Sequence, residues 1–352
     1  MPMKIFKIVV LPGDGIGPDV IREGVNVLRA VESRLASVRF ELTEQPAGAG
    51  EYLKNGDPLP AASLQACREC DAILLGAMGI PSVRWPTGTE MAPQIDIREE
   101  LDLYQGVRPI RIYNPAHSPL KPERSKGIDF VIYRENTEGL FASRKEIYAK
   151  DATEVRDTML VTRKGSERLF RAAFRHAMRR RKLVTLVDKA NVLPSMAYFR
   201  SVFDEISTEF PDVCTERVYV DAASLFLVQR PADFDVIVTE NMFGDIISDL
   251  AAGLVGGMGM APSADIGDRH AVFQPSHGSA PDIAGKGVAN PIATILSVAM
   301  MLEWLAGEEN IRGAELIRRA VEKVCEDPAK ATRDIGGSVT TQEMGQFVIA
   351  AL

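Results

Sequence analysis

Short continuous runs of Val, Ile and Leu alternate along this chain with longer stretches whose apolar residues recur every three to four positions. Strands covered by helices on both faces need such runs, so the alternation predicts an α/β chain built on a largely parallel sheet. The predicted strands are residues 5–11, 38–42, 72–75, 129–133, 183–187, 218–220 and 235–239. Val20, Gly24, Val27, Leu28, Val31 and Leu35 recur at helical spacing behind Pro18, a residue suited to a helix's first turn. A second helix is predicted after Lys164 and a third over residues 291–305.

At 352 residues the chain is long for one core and suited to two domains. No linker rich in Pro, Gly or Ser marks the division. The glycines between Gly253 and Gly259 would serve either as a hinge or as a close-packed turn. The polar segment 141–162 lacks a helical period and is expected to form a protruding strand pair.

Composition and charge remove several classes of function. No apolar run approaches the roughly 18–20 residues needed to cross a bilayer. Residues 1–11 carry no cleavable signal pattern, so a cytoplasmic protein with no membrane partner is expected. A net charge of −7 argues against nucleic acid as a partner. The one basic run, Arg179-Arg180-Arg181-Lys182, ends a helical stretch and is expected to be solvated there. Cys67 and Cys70 form a C-x-x-C with no second pair at zinc-site spacing, so reduced structural thiols are expected.

Several segments carry residues suited to chemistry. Pro12-Gly13-Asp14-Gly15-Ile16-Gly17-Pro18 joins the first strand to the first helix. It would serve as a tight turn or bring backbone N–H groups to an anion. Its G-x-G-x-G spacing is not the dinucleotide fingerprint G-x-G-x-x-G. In Asn241-Met242-Phe243-Gly244-Asp245-Ile246-Ile247-Ser248-Asp249, a helix beginning near Gly244 places Asp245 and Asp249 on one face. Like charges at that spacing destabilise a helix unless a hard cation such as Mg²⁺ or Mn²⁺ joins them; an acidic surface is the other reading. Lys189 follows a very apolar strand, where desolvation would make it a usable base, or where it snorkels to solvent. Asp221 poses the same question at another strand end. Arg98 and Arg108 flank a predicted helical stretch and Arg134 ends the strand 129–133; grouped guanidiniums would suit a diacid. The loop His277-Gly278-Ser279-Ala280-Pro281-Asp282-Ile283-Ala284-Gly285-Lys286-Gly287, followed by Asn290-Pro291, would suit a nucleotide's polar edges. There Asp282 could accept from ribose hydroxyls and repel a 2′-phosphate.

Together, and in this order, these segments resemble the isocitrate/isopropylmalate dehydrogenase family of β-decarboxylating dehydrogenases, from the first glycine turn to Asp334-Ile335-Gly336-Gly337. The resemblance implies a two-domain α/β fold that is not a Rossmann fold. Residues 1–103 with 256–352 would form a cofactor-binding domain, and residues 104–255 a second domain for dimerisation, metal and substrate. It implies that Arg98, Arg108 and Arg134 hold the carboxylates of a malate-type 2-hydroxy diacid. Asp245 and Asp249 would bind Mg²⁺ or Mn²⁺ with Asp221 of a second subunit, and Lys189, also lent across a homodimer with shared active sites, would be the base. Ile16, His277, Gly278, Ser279, Ala280, Asp282, Ile283 and Asn290 would line the NAD site. The substrate group then includes 3-isopropylmalate, isocitrate, homoisocitrate, tartrate and D-malate.

Two positions depart from the family pattern. Phe141 stands where relatives usually carry a proton-donating tyrosine, and Gln274 where they commonly carry a glutamate. Ahead of Arg98, Thr89 to Ile97 match neither the double leucine of isopropylmalate enzymes nor the Ser/Asn pattern of isocitrate enzymes; Met91 and Ile95 suit an apolar C3 group, Gln94 a polar one. A non-catalytic regulatory subunit of a heteromeric dehydrogenase is the alternative, though Lys189, Asp221, Asp245 and Asp249 all remain. A dehydrogenase of a phosphorylated hydroxy-amino acid would call for histidine metal ligands, and the chain has four histidines, one of them in a motif. If residues 277–290 read the ribose, Asp282→Lys combined with Ile283→Tyr weakens the preference for NAD over NADP. An unchanged ratio of kcat/KM values for the two cofactors would place the nucleotide elsewhere.

Overall fold

The computed structural model describes residues 3–149 and 151–352, which form ten strands and twelve α-helices in two compact units. The chain enters the first unit with β1 (Lys4–Gly13), α1 (Gly17–Glu32), β2 (Val38–Glu44), α2 (Ala49–Asn55), α3 (Ala61–Glu69), β3 (Ala72–Ala77) and α4 (Pro93–Glu100). The second unit takes residues 102–255 and 265–267. It holds β4 (Gln105–Arg111), α5 (Pro122–Ser125), β5 (Asp129–Glu135), α6 (Arg163–Ala177), β6 (Leu183–Asp188), α7 (Pro194–Ser207), β7 (Cys214–Tyr219), α8 (Val220–Gln229), β8 (Val236–Thr239) and α9 (Asn241–Leu254). The chain then returns to the first unit through β9 (Pro262–Ile266), β10 (Ala271–Pro275), α10 (Ile292–Leu305), α11 (Glu308–Cys325) and α12 (Thr341–Ala351).

In the first unit the strands lie in the order β2-β1-β3-β10-β9. β1 pairs in parallel with β2 and β3, and β3 with β10. All six residues of β3 are buried, as its unbroken apolar run requires. The amphipathic α1, with Pro18 in its first turn, buries Val20, Ile21, Val27, Leu28 and Val31. α10 is buried on nearly every side, which explains why its sequence shows no polar face. Its neighbours α1, α11 and the strands β3 and β10 supply the cover.

The second unit orders its strands β4-β5-β8-β6-β7, with β4 antiparallel to β5 and the rest parallel. Phe170 and Phe174 of α6 pack against Phe199 and Phe203 of α7 with ring centroids 4.6 to 5.3 Å apart. On the other side, Ile132, Val187 and Ile237 of the strands meet Ala223, Leu227, Ile247 and Ala251 of α8 and α9.

Several expectations need correction. β4, β9 and β10 were not anticipated, because Arg108 and Pro109, Asp265, and Gln274 interrupt their apolar character. Arg98 and Arg108 do not flank a helix: Arg98 lies in the last turn of α4 and Arg108 in the middle of β4. The strand expected at 218–220 is β7, and Val220 already belongs to α8. α9 begins at Asn241, three residues before Gly244, because the Glu240 carboxylate accepts from the N–H groups of Met242 and Phe243 and caps the helix. Segment 141–162 shows a 3₁₀ turn at Leu140–Ser143 and one bridge, Gly139 to Leu160, rather than a strand pair among the described residues. The basic run is not simply solvated. Arg180 ion-pairs with Asp129 and with the buried Asp235, and Arg181 donates to the carbonyl oxygens of Asp129, Ala232 and Phe234.

Gly15 has φ of +59°, and a Cβ there would lie 1.9 Å from the Ser279 carbonyl oxygen. Gly15→Ala therefore meets both a left-handed backbone and a main-chain clash, and should cost at least about 2 kcal/mol. A urea midpoint equal to that of the unchanged protein would show that the two loops do not approach so closely.

Candidate functional site

Strand register brings the charged residues of the second unit together. Arg134, near the end of β5, pairs with Thr239, the last residue of β8. One residue on, Glu240 caps α9, so the helix runs back over the arginine. Asp245 and Asp249 follow at one-turn spacing. Arg134 is 1% exposed, ion-pairs with Asp245 and donates to Asn241. Arg108, equally enclosed in β4, lies 3.7 Å from Asp249 and donates to the Ser248 hydroxyl at 3.3 Å. Burial raises the Asp249 carboxyl above its usual pKa, and Arg108 opposes that rise.

The side chains of Asp245 and Asp249 remain 42% and 49% exposed. Two carboxylates of this kind form an oxygen-only donor pair suited to a hard divalent cation. Among the described residues no three His, Cys, Asp or Glu side chains gather as one metal site. Asp221 thus does not join Asp245 and Asp249 within one chain.

Lys189 and Asp221 meet each other instead. Asp188 and Tyr219 are partners at the ends of β6 and β7, so the residues just beyond them emerge side by side. Lys189 Nζ donates to Asp221 Oδ1 at 2.8 Å, and that hydrogen bond holds the Asp221 carboxyl below its usual range. Lys189 is half-buried beyond the strand end and paired with Asp221, between the desolvated and the snorkelling readings that its sequence position left open. The buried Asp188 is held by two 2.7 Å bonds from Arg200, which also lies over the Tyr219 ring.

In the first unit the glycine turn and residues 277–290 come together. Ile16 N–H donates to the Ser279 carbonyl oxygen at 2.8 Å. Ile16, Val20 and Ala289 form a small buried cluster with Ala280, Ile283 and Ala284. Three of the turn's amides are engaged within the protein. Those of Asp14, Ile16 and Gly17 donate to the carbonyl oxygens of Ala77, Ser279 and Asp14. The anion held here is the Asp14 carboxylate, which accepts from Ala49, Gly50 and Gly79 N–H at 2.8 Å each.

Asp282 and Gly278 are exposed, and Ala280 adopts a left-handed φ of +39°. Burial depresses the His277 pKa and keeps the imidazole neutral. Its Nδ1 donates to the Gly278 carbonyl oxygen at 2.9 Å, which leaves Nε2 an acceptor, buried and without a partner among the described residues. An orphaned acceptor in a loop that also exposes a carboxylate at Asp282 fits a nucleotide with donor groups. Asn290 is engaged internally: it donates to Asp334 at 3.1 Å and accepts from Ile292 N–H at 3.0 Å.

In the second unit, an elbow runs from Arg134 to Gly139 after β5. Glu135, 3% exposed, accepts from Thr137 N–H, Thr137 Oγ1 and Glu138 N–H, and burial pushes its pKa up to about 7. Phe141 lies with its ring 5.3 Å from the Arg134 guanidinium. Gln274 is buried in β10. Cys67 and Cys70 are free thiols whose pKa values burial raises to about 12 and about 11, as befits structural residues. Sequence reasoning did not single out Asn241, although it stands inside a quoted motif, or Glu135, the residue after Arg134; their burial was the missing signal.

A family profile described as isocitrate/isopropylmalate dehydrogenase matches residues 7–348. The 3-isopropylmalate dehydrogenase of Aquifex aeolicus is 45% identical over 91% of this chain and 89% of its own length, and that of Moorella thermoacetica 46% identical over 98% of each. The crystal structure of isocitrate dehydrogenase from Methylococcus capsulatus superposes with a TM-score of 0.89 at 38% identity, covering 98% of this chain and 99% of its own. The chain belongs to the isocitrate/isopropylmalate dehydrogenase family and has the fold its motifs led us to expect. Among the described residues no helix is long and apolar enough to cross a membrane.

The raised Glu135 pKa has a stability consequence. In the folded chain this carboxyl binds its proton more tightly than its ordinary value of 4.5 allows. Folding thus takes up a proton, and stability falls as pH rises from about 4.5 to about 7, then levels. Glu135→Gln removes this contribution. The loss of melting temperature between about pH 5 and about pH 8 should be smaller in the variant than in the unchanged protein. Equal losses would mean that Glu135 does not titrate in that window.

Proposed function

We propose that this chain catalyses NAD-dependent oxidative decarboxylation of a malate-type 2-hydroxy diacid, assisted by Mg²⁺ or Mn²⁺, as a homodimer. The observation that carries this reading is the opposition of two enclosed guanidiniums, Arg108 and Arg134, to two half-exposed carboxylates on one helix face. Such a cluster suits a divalent cation and a dianion bound together, each relieving the charge that the other leaves. Arg98, on α4, is assigned to the same substrate by resemblance.

A second copy would complete the metal site. The face of α8 that carries Asp221 also exposes Leu225 and Val228, and Ile246 is exposed on α9 beside Asp245 and Asp249. Apolar side chains flanking ligand aspartates favour burial against another copy of this chain.

A divalent cation held by Asp245 and Asp249 would supply Lewis-acid stabilisation, and a nicotinamide nucleotide held by residues 277–290 would supply a hydride acceptor. Arg108 and Arg134 hold carboxylates through parallel hydrogen bonds and set C2 in place. Lys189, released from Asp221 and in its neutral amine form, would take the hydroxyl proton. Loss of CO₂ from the neighbouring carbon leaves C3 needing a proton, which Phe141 cannot give; water or another side chain provides it. His277, whose Nε2 is left without a partner among the described residues, would accept from the nucleotide, and Asp282 would receive the ribose hydroxyls.

Two observations bear on the C3 group. The relatives named above as 3-isopropylmalate dehydrogenases favour an apolar substituent. Gln94, one turn before Arg98 on α4, has a buried Oε1 without a partner among the described residues, which favours a polar one. Met91 is wholly buried. D-Malate, tartrate, isocitrate, homoisocitrate and 3-isopropylmalate, each with NAD or NADP and with Mn²⁺ or a chelator, decide between them when NADH, CO₂ and keto product are all followed. Turnover of one diacid, lost on chelation and reduced at least about 100-fold in Asp245→Asn, is expected. Undiminished turnover under chelation would remove the metal from the reading, and keto product lagging CO₂ would show that Phe141 slows the final protonation.

A further inference from the structure

Arg134 is enclosed, yet its usefulness depends on which edge of its guanidinium faces outward. The residue that settles this is Asn241, itself 1% exposed. Its Oδ1 accepts from Arg134 Nε at 3.0 Å and Nη2 at 2.6 Å, filling one side of the planar fork. Its Nδ2 donates to the Glu138 carbonyl oxygen at 2.9 Å, tying the start of α9 to the elbow after β5. Nη1 points along α9 to Asp245, one turn beyond Asn241. The packing admits little else: a Cβ on Gly244 would lie 2.7 Å from Arg134 Cγ, and one on Gly139 would lie 2.9 Å from Asn241 Cβ.

We propose that Asn241 is a positioning residue that fixes Arg134 for the substrate carboxylate and, being neutral, does so without cancelling the arginine's charge. A carboxylate in the same place would form a two-bond ion pair with Arg134 and compete with both the substrate and Asp245. An amide accepts the same two N–H groups and leaves the net positive charge to the ligand. The inference rests on the reading of Arg134 as a diacid-binding residue.

The test uses Asn241→Asp and Asn241→Ala, each alone and combined with Arg134→Lys, in the full-length protein. Binding of malonate, an inert dicarboxylate, is measured by calorimetry without metal or cofactor, alongside KM for the diacid that the unchanged protein turns over. Asn241→Asp should weaken malonate binding and raise KM for the diacid at least about tenfold, with KM for NAD unchanged. In the Arg134→Lys background the effect of Asn241→Ala should shrink to less than about threefold, because the amide acts through the guanidinium fork. Asn241→Asp binding malonate as well as the unchanged protein, or full additivity with Arg134→Lys in a folded variant, would overturn the proposal. An unchanged protein that turns over no diacid in the panel would instead sink the functional reading, a different outcome from the first.

Discussion

Arg108 and Arg134 lose most of their hydration beneath α9, and Asp245 and Asp249 offset part of that loss. Burying a charged pair seldom stabilises a fold more than apolar residues of the same size would. Four charges kept in one place, with the cations enclosed and the anions open to solvent, are the feature on which the proposed site rests. The surrounding geometry follows from keeping them there. β5 and β8 must end together so that Glu240 can cap α9, and Gly244 must lack a side chain so that the helix can lie against the arginine stem.

The same logic of strand ends places the other chemistry. Parallel neighbours finish at the same edge of a sheet, and the residues just past them converge. Lys189 and Asp221 meet because Asp188 and Tyr219 are in register, not because their sequence positions are related. In the first unit, the turn after β1 and the loop after β10 meet through Ile16 and Ser279. Each functional segment is thus a short piece of chain whose position is set by a ladder of main-chain hydrogen bonds.

That arrangement explains what the sequence discloses and what it hides. Strands buried on both faces, such as β3 and β8, write themselves as apolar runs and were legible. β4 was not, since it carries Arg108 inward among apolar neighbours, and an inward arginine looks like a loop residue until its partner on α9 is known. Asp245 and Asp249 were legible as a pair because helical spacing alone aligns them. Asn241 stood in the same motif and escaped notice, because its role comes from Arg134 and Glu138, each more than a hundred residues away in sequence. The basic run at 179–182 misled for a related reason: its partners Asp129 and Asp235 lie on other strands.

Phe141 joins these threads. Its ring lies beside the Arg134 guanidinium, where an aromatic face attracts the cation and keeps water from one side of it. A tyrosine could hold the same ring and add a hydroxyl. The phenylalanine therefore preserves the electrostatic half of the position while giving up the proton-donating half. Asn241 and Phe141 both contact the Arg134 guanidinium, so its setting in the fold does not require a hydroxyl at position 141.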